Sequence, residues 1–119
     1  MTSDPFADRL ARVRHRFVST LEGKIDDTCA AIASVSGVTP AAAAAVAEAY
    51  LCVHGMVGVA PTVGFPATGD AAHQVEDVLR APYKTGRGLT ADEISKLAPT
   101  LQALREAASR ELQSFHPAR

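Results

Sequence analysis

The chain has no tryptophan, only 5% aromatic residues, two cysteines and two methionines among 119 residues. A core without large rings must be assembled from Ala, Val, Leu and Ile, which suits close-packed helices better than a β-sandwich. Cys29 and Cys52 have neither metal-ligand spacing nor the density of a disulfide framework. They are expected to be free, buried, reduced thiols, as in the cytosol. A dominant charge is lacking too: 12 Lys and Arg stand against 13 Asp and Glu, with four scattered histidines. That balance excludes the electrostatic footprint of a nucleic-acid binder. The start, Met1-Thr2-Ser3-Asp4-Pro5, carries no basic region followed by an apolar one, so it does not read as a signal peptide. The longest apolar stretch, around Ala41–Ala47, reads as too short and too alanine-rich to span a bilayer. One domain over residues 1–119, without nucleic-acid or membrane partners and located in the cytoplasm, is the expectation.

What is present is helical periodicity with clear punctuation. Asp4-Pro5 is an N-cap acid followed by proline at the first helical position. Phe6, Leu10, Val13, Phe17, Leu21, Ile25, Cys29 and Ile32 then recur at spacings of three and four and form one apolar stripe. It stops at Gly37, and a break near Gly23 would give a short extra N-terminal helix ahead of a longer one. Arg12-Val13-Arg14-His15-Arg16 within it is taken as a solvated face. Thr39-Pro40 repeats the cap-and-proline signal and opens a helix over about residues 40–61. Val46, Ala49, Val53, Met56 and Ala60 make its inner face, with Tyr50 and Val57 on the flank. Pro61 and Gly64 end it or kink its last turn. Pro66 opens a third helix, with Ala71, Ala72, Val75 and Leu79 inward, expected to stop before Pro82. Residues 82–88 read as a loop by composition. Thr90-Ala91-Asp92-Glu93 is a capping box. Beyond it Ile94, Leu97, Leu101, Leu104, Ala108, Leu112 and Phe115 carry a fourth stripe almost to Pro117. No segment alternates like a strand. Four stripes joined by short connections predict an all-α, antiparallel up-down four-helix bundle.

One histidine stands apart. His54 lies in the second helix about a quarter turn from the centre of its apolar stripe, hence at or outside the core edge. Gly58 follows four residues later as its neighbour on the helix face, and is expected to remove a side chain that would otherwise crowd the imidazole. Mid-helix glycine costs about 1 kcal/mol relative to alanine, so its place beside an imidazole indicates close approach of something large. His15, between two arginines, His73 on a solvent-facing step and His116 near the end read as surface residues. No HxxxH or CxxC spacing supports a metal site.

The run from His54 through Met56, Gly58 and Ala60, then Gly64-Phe65, then Val75-Glu76, resembles the histidine-containing phosphotransfer (HPt) domain of bacterial phosphorelays. The resemblance implies a four-helix bundle with His54 as phosphoacceptor and Gly58 as the residue that gives access to it. It also implies a docking surface for receiver domains of response regulators and hybrid histidine kinases. Ala47, Leu51, Gly55 and Gly58, on the same helix face as His54, are the candidates for it. The chain carries no cofactor in this reading; Mg²⁺, the aspartate and a lysine would belong to the receiver. A neutral imidazole is a good nucleophile toward phosphorus, and the unperturbed side chain is mostly neutral at pH 7. No nucleotide-binding glycine loop joined to a strand is present, so no kinase activity is expected. Whether the carrier counts as an enzyme is left open. Many relatives carry lysine three residues after the histidine, where this chain has Val57; Arg80, Lys84 and Arg87 are the cations to examine instead. The expected function is acceptance of a phosphoryl group by His54 and its transfer to a second receiver by a monomeric, free-standing protein, with a C-terminal domain cut from a hybrid kinase as the alternative setting. The alternatives are an HPt-like scaffold that binds receivers or kinases without transfer, and a helical interaction module in which His54 is incidental.

Overall fold

A computed structural model describes residues 4–31 and 36–115. Within them lie four helices: α1 (Pro5–Ala31), α2 (Pro40–Val59), α3 (Pro66–Thr85) and α4 (Ala91–Ser114). Each packs on two neighbours, in the ring α1–α2–α3–α4 and back to α1, with no diagonal contact among the described residues. The core in the middle of this ring is aliphatic. Leu21, Ile25, Val46, Val53, Met56, Val75, Leu79, Leu97 and Leu104 are all buried in it.

The helix starts follow the capping chemistry. Asp4 Oδ1 accepts the N–H of Phe6 at 3.0 Å, and Thr39 Oγ1 accepts that of Ala42 at 3.1 Å. The Thr90–Glu93 capping box is reciprocal, at 3.2 and 2.9 Å. The start of α3 is capped from another helix. Glu111 of α4 accepts from the N–H groups of Ala67 and Thr68 and from the Thr68 hydroxyl, at 3.1, 2.7 and 2.7 Å. Those are the orphan donors of a helix N-terminus, where a carboxylate is favoured.

Several expectations need correction. α1 runs through Gly23 unbroken. Buried Leu21 and Ile25 hold the chain on either side, and a Cβ at Gly23 would meet nothing within 4 Å. The glycine is a tolerated cost of about 1 kcal/mol, not a boundary. α3 does not stop before Pro82; it continues to Thr85, with Pro82 buried inside it. The proline removes one intrahelical donor, but the last turn is closed from beyond. Gly86, at φ +67°, and Arg87 donate back to Tyr83 and Pro82 oxygens at 3.2 and 3.1 Å. So residues 82–85 are helix and the loop starts at Gly86. α2 ends at Val59, with residues 60–64 forming the turn to α3. It is also longer as an apolar element than the alanine run suggested: at 20 residues and mean hydropathy 1.5 it meets the length and composition for crossing a membrane. Here its inner face packs into the bundle. Cys29 and Cys52 are free but half-buried, not fully buried. The α1 stripe is buried only from Phe17 onward; Phe6 is 69% exposed and Val13 46%. Ile32, His116 and Pro117 lie outside the described residues.

Candidate functional site

His54 sits in the third quarter of α2, displaced from the Val46–Ala49–Val53–Met56 face by the geometry of a 3.6-residue turn. Its side chain is 64% exposed. The ring is nevertheless held. Nδ1 contacts Oε2 of Glu76, which reaches across from α3 with a side chain only 5% exposed. A carboxylate accepts hydrogen bonds and does not donate them when ionised. Beside an ionised Glu76 the proton belongs on Nδ1, which leaves the lone pair on Nε2.

Glu76 is itself fixed. Its other oxygen, Oε1, accepts from Arg80 Nη2 at 3.2 Å, one turn along α3. Arg80 also donates through Nη1 to Asp77 at 2.7 Å. Its pKa is raised above the usual guanidinium value, first by the Asp77 hydrogen bond and next by one with Tyr50. Tyr50, one turn before His54 on α2, lies parallel to the imidazole at 5.8 Å between centroids. Tyr83 from the last turn of α3 stacks on Tyr50 at 4.1 Å. The order Tyr83–Tyr50–His54 thus makes a row of flat rings beside a row of alternating charge, Asp77–Arg80–Glu76. Both limit the orientations open to an exposed histidine.

The remaining site candidates surround this ring on the outside of α2. Leu51 is 57% exposed; Gly55 and Gly58 are exposed and Ala47 is half-buried. A Cβ built on Gly58 would have no neighbour within 4 Å, the imidazole included. This corrects the expectation from spacing: the fold does not need glycine there, and an alanine would not crowd the resting ring, because its Cβ stays clear of the imidazole. Gly69 is the opposite case, since its Cβ would strike Pro61 Cγ at 2.9 Å. Glycine at 69 is required by packing; glycine at 58 leaves room on the open side of the helix.

A family comparison agrees with this geometry. The Hpt domain family matches residues 12–112. The chain belongs to the Hpt domain family. Its general role is therefore histidine phosphotransfer in a phosphorelay, where Hpt domains interact with receiver domains. Comparison with curated proteins and with solved structures returned no match.

Measured against the Hpt domain expectation, the other histidines are differently placed. His73 pairs with Asp77 at 3.5 Å along one exposed turn of α3, and His15 is exposed on α1. Among the described residues no three His, Cys, Asp or Glu side chains converge as a metal site would require. Val57 is half-buried at the edge of α2. Of the cations considered in its place, Arg80 joins the His54 network through Glu76. Arg87 is committed elsewhere, gripping Glu93 at 2.7 and 3.1 Å. That grip holds the Glu93 carboxyl down to about 2. Lys84 is exposed on the last turn of α3.

Sequence reasoning missed what Glu76, Tyr50, Arg80 and Tyr83 do together. A signal existed: Ala72, Glu76, Leu79 and Tyr83 fall at four- and three-residue spacing, so Glu76 is a carboxylate on an apolar stripe. Buried charges need partners, and here they are His54 and Arg80. The treatment of Pro82 as a helix end hid Tyr83 in a supposed loop.

Proposed function

We propose that this chain is a phosphorelay carrier in which Nε2 of His54 takes a phosphoryl group from a receiver aspartate and gives it to a second receiver. The single observation behind the reading is an exposed imidazole whose Nδ1 is held by a buried glutamate. The Nε2 lone pair attacks phosphorus, the N–P bond forms, and the P–O bond to the aspartate breaks. The aspartate leaves as a carboxylate with the electron pair. No proton must leave Nε2, because none is there. With both nitrogens substituted the ring becomes cationic, and the Glu76 carboxylate compensates that charge across the Nδ1–H hydrogen bond. Transfer to the second receiver is the reverse of these steps.

Phosphoryl transfer depends mainly on positioning and on stabilising charge. In this reading the carrier supplies position, and the receiver brings its aspartate, lysine and Mg²⁺. The outward strip of Ala47, Leu51, Gly55 and Gly58 forms a small, nearly uncharged docking patch with the reactive ring inside it. Encounters of that size are modest in area and transient. The chain acts as a single HPt domain, a monomer in the cytoplasm, without a cofactor or kinase activity of its own. A scaffold that binds receivers without accepting phosphate is the competing assignment.

Incubation with a phosphorylated receiver and Mg²⁺ decides between them. Acid-labile label should appear on the wild-type chain and be absent from His54→Gln. Receiver binding without label supports the scaffold, and label retained by His54→Gln or found on His73 refutes the site.

A further inference from the structure

The N-terminal part of α1 is not covered by the bundle. Arg14 Nε donates to the Val63 carbonyl in the α2–α3 turn at 3.0 Å, which places that turn beside the middle of α1. Upstream, Leu10 is the last side chain to pack against the core, and Pro5–Arg9 are all exposed. α1 has 27 residues and spans about 40 Å, against 20 residues and about 30 Å for each of α2 and α3. Phe6, Leu10 and Val13 continue the stripe that buries Phe17 and Leu21 further along. Their common face consequently looks inward, over the end of the bundle. That end is apolar too: Phe17, Phe65 and Phe115 form a chain of rings with centroids 5.2 and 5.8 Å apart. A depression of about 250 Å³ beside them is lined by Gly64, Phe65, Glu111, Ser114 and Phe115. The Glu111 carboxylate is already engaged by the start of α3.

The charges flanking the α1 stripe have one sign. At about 100° per residue, Arg9 and Arg16 flank the stripe on one side and Arg14 on the other. Asp4 and Asp8 fall on the opposite face. A second copy docking through the same stripe would set arginines against arginines, which is destabilising. A flat anionic membrane would touch the tip of α1 without filling the concave step. We propose that the step between the α1 overhang and the bundle end receives an acidic amphipathic helix of a partner protein, its apolar residues against Phe6, Leu10 and Val13 and its carboxylates against Arg9, Arg14 and Arg16. Such helix-in-groove docking needs anchors at i, i+3 or i+4 and i+7. The inference does not depend on phosphotransfer at His54.

The probe is a capped synthetic peptide of about 18 residues, roughly five turns, with leucines at those spacings flanked by glutamates. A scrambled peptide of equal composition is the control. Titration by fluorescence anisotropy should give saturable binding, about tenfold or more tighter than for the scramble and weakening with salt. Phe6→Ser with Val13→Ser should lose about tenfold or more, and so should Arg9→Glu with Arg16→Glu. The second pair alters only exposed charge, so it keeps the test valid if the first pair disturbs folding. Equal affinity for peptide and scramble, or unchanged affinity in the charge-reversed variant, overturns the proposal. Self-association in sedimentation that Phe6→Ser with Val13→Ser abolishes would assign the step to a second copy instead. Binding to phosphatidylglycerol-containing vesicles without peptide binding would assign it to a lipid surface. Either result overturns the proposal.

Discussion

Glu76 and Glu93 are both glutamates met by an arginine, and they behave in opposite ways. At the α3–α4 turn, Glu93 uses both oxygens on internal donors: Arg87 through two nitrogens, and the Thr90 N–H. Nothing in that cluster is left to react, and its role is to start α4. Midway along α3, Glu76 gives one oxygen to Arg80 and the other to an imidazole that is mostly in solvent. The residue types are nearly the same, but the third partner differs. The difference is that one hydrogen bond of Glu76 leads to an exposed imidazole, whereas those of Glu93 lead back to an internal arginine and the backbone.

The largest expected effect breaks the Glu76 side of this comparison. Glu76→Ala should lower the rate of transfer to His54 on the order of tenfold to a hundredfold, by analogy with metal-bound histidines that lose their orienting partner. Glu76→Gln should recover part of that loss, because an amide oxygen still accepts the Nδ1–H but carries no charge. Stopped-flow transfer from a phosphorylated receiver measures both. Equal rates in wild type and Glu76→Ala would remove the orienting role.

A second test separates room from fold at position 58. Gly58→Leu should slow transfer, by less than Glu76→Ala does, while leaving helicity unchanged, and Gly58→Ala should raise stability by up to about 1 kcal/mol with transfer retained. Paired circular dichroism melts and transfer assays check this. Normal transfer by the leucine variant would contradict the proposed approach of a receiver over that residue.

The docking patch gives a smaller effect. Leu51→Asp should weaken receiver binding by about 1–2 kcal/mol without unfolding the bundle, since Leu51 is exposed. Isothermal titration against an unphosphorylated receiver reads it, and unchanged affinity would move the interface elsewhere.

Position 57 sharpens the charge argument. A phosphoryl group on His54 lies in the C-terminal half of α2, where the helix dipole is unfavourable to an anion. Val57→Lys should lengthen the half-life of isolated phosphoprotein, by about fivefold for roughly 1 kcal/mol of exposed pairing. An equal half-life would mean that Arg80 already compensates the phosphate, which Arg80→Ala in the same assay would reveal.

The smallest effect is on the Glu93 side. Its carboxyl is lowered from 4.5 to about 2 in the folded chain. The stabilisation is therefore present above pH 4.5 and lost as pH falls toward 2. Glu93→Gln should flatten that part of the stability curve and leave transfer at neutral pH unchanged. Acid titration of the urea midpoint checks the first statement. A changed transfer rate would show that the two clusters are coupled.

Much of the architecture was legible along the chain because it is written in local chemistry. Thr39-Pro40 and Thr90 through Glu93 mark helix starts by the groups they offer to orphan N–H donors. The Val46–Ala60 spacing fixes which face of α2 turns inward, and so where His54 must stand. Gly23 and Pro82 misled for the same reason. Each weakens a helix by itself, but packing on either side of Gly23 and the Gly86 closure after Pro82 outweigh that local cost.

The sequence alone therefore determined four helices, the outward place of His54 and the open position at Gly58, all consequences of a 3.6-residue period within one helix. Only the tertiary structure decided that Glu76 meets Nδ1, that Tyr83 stacks on Tyr50, that Glu111 caps α3 and that Phe6 hangs beyond the bundle. Those relations join residues on different helices, or depend on where one helix outruns its neighbours. Periodicity records the face a residue occupies on its own helix, whereas helix offsets and crossings set the residue that it meets.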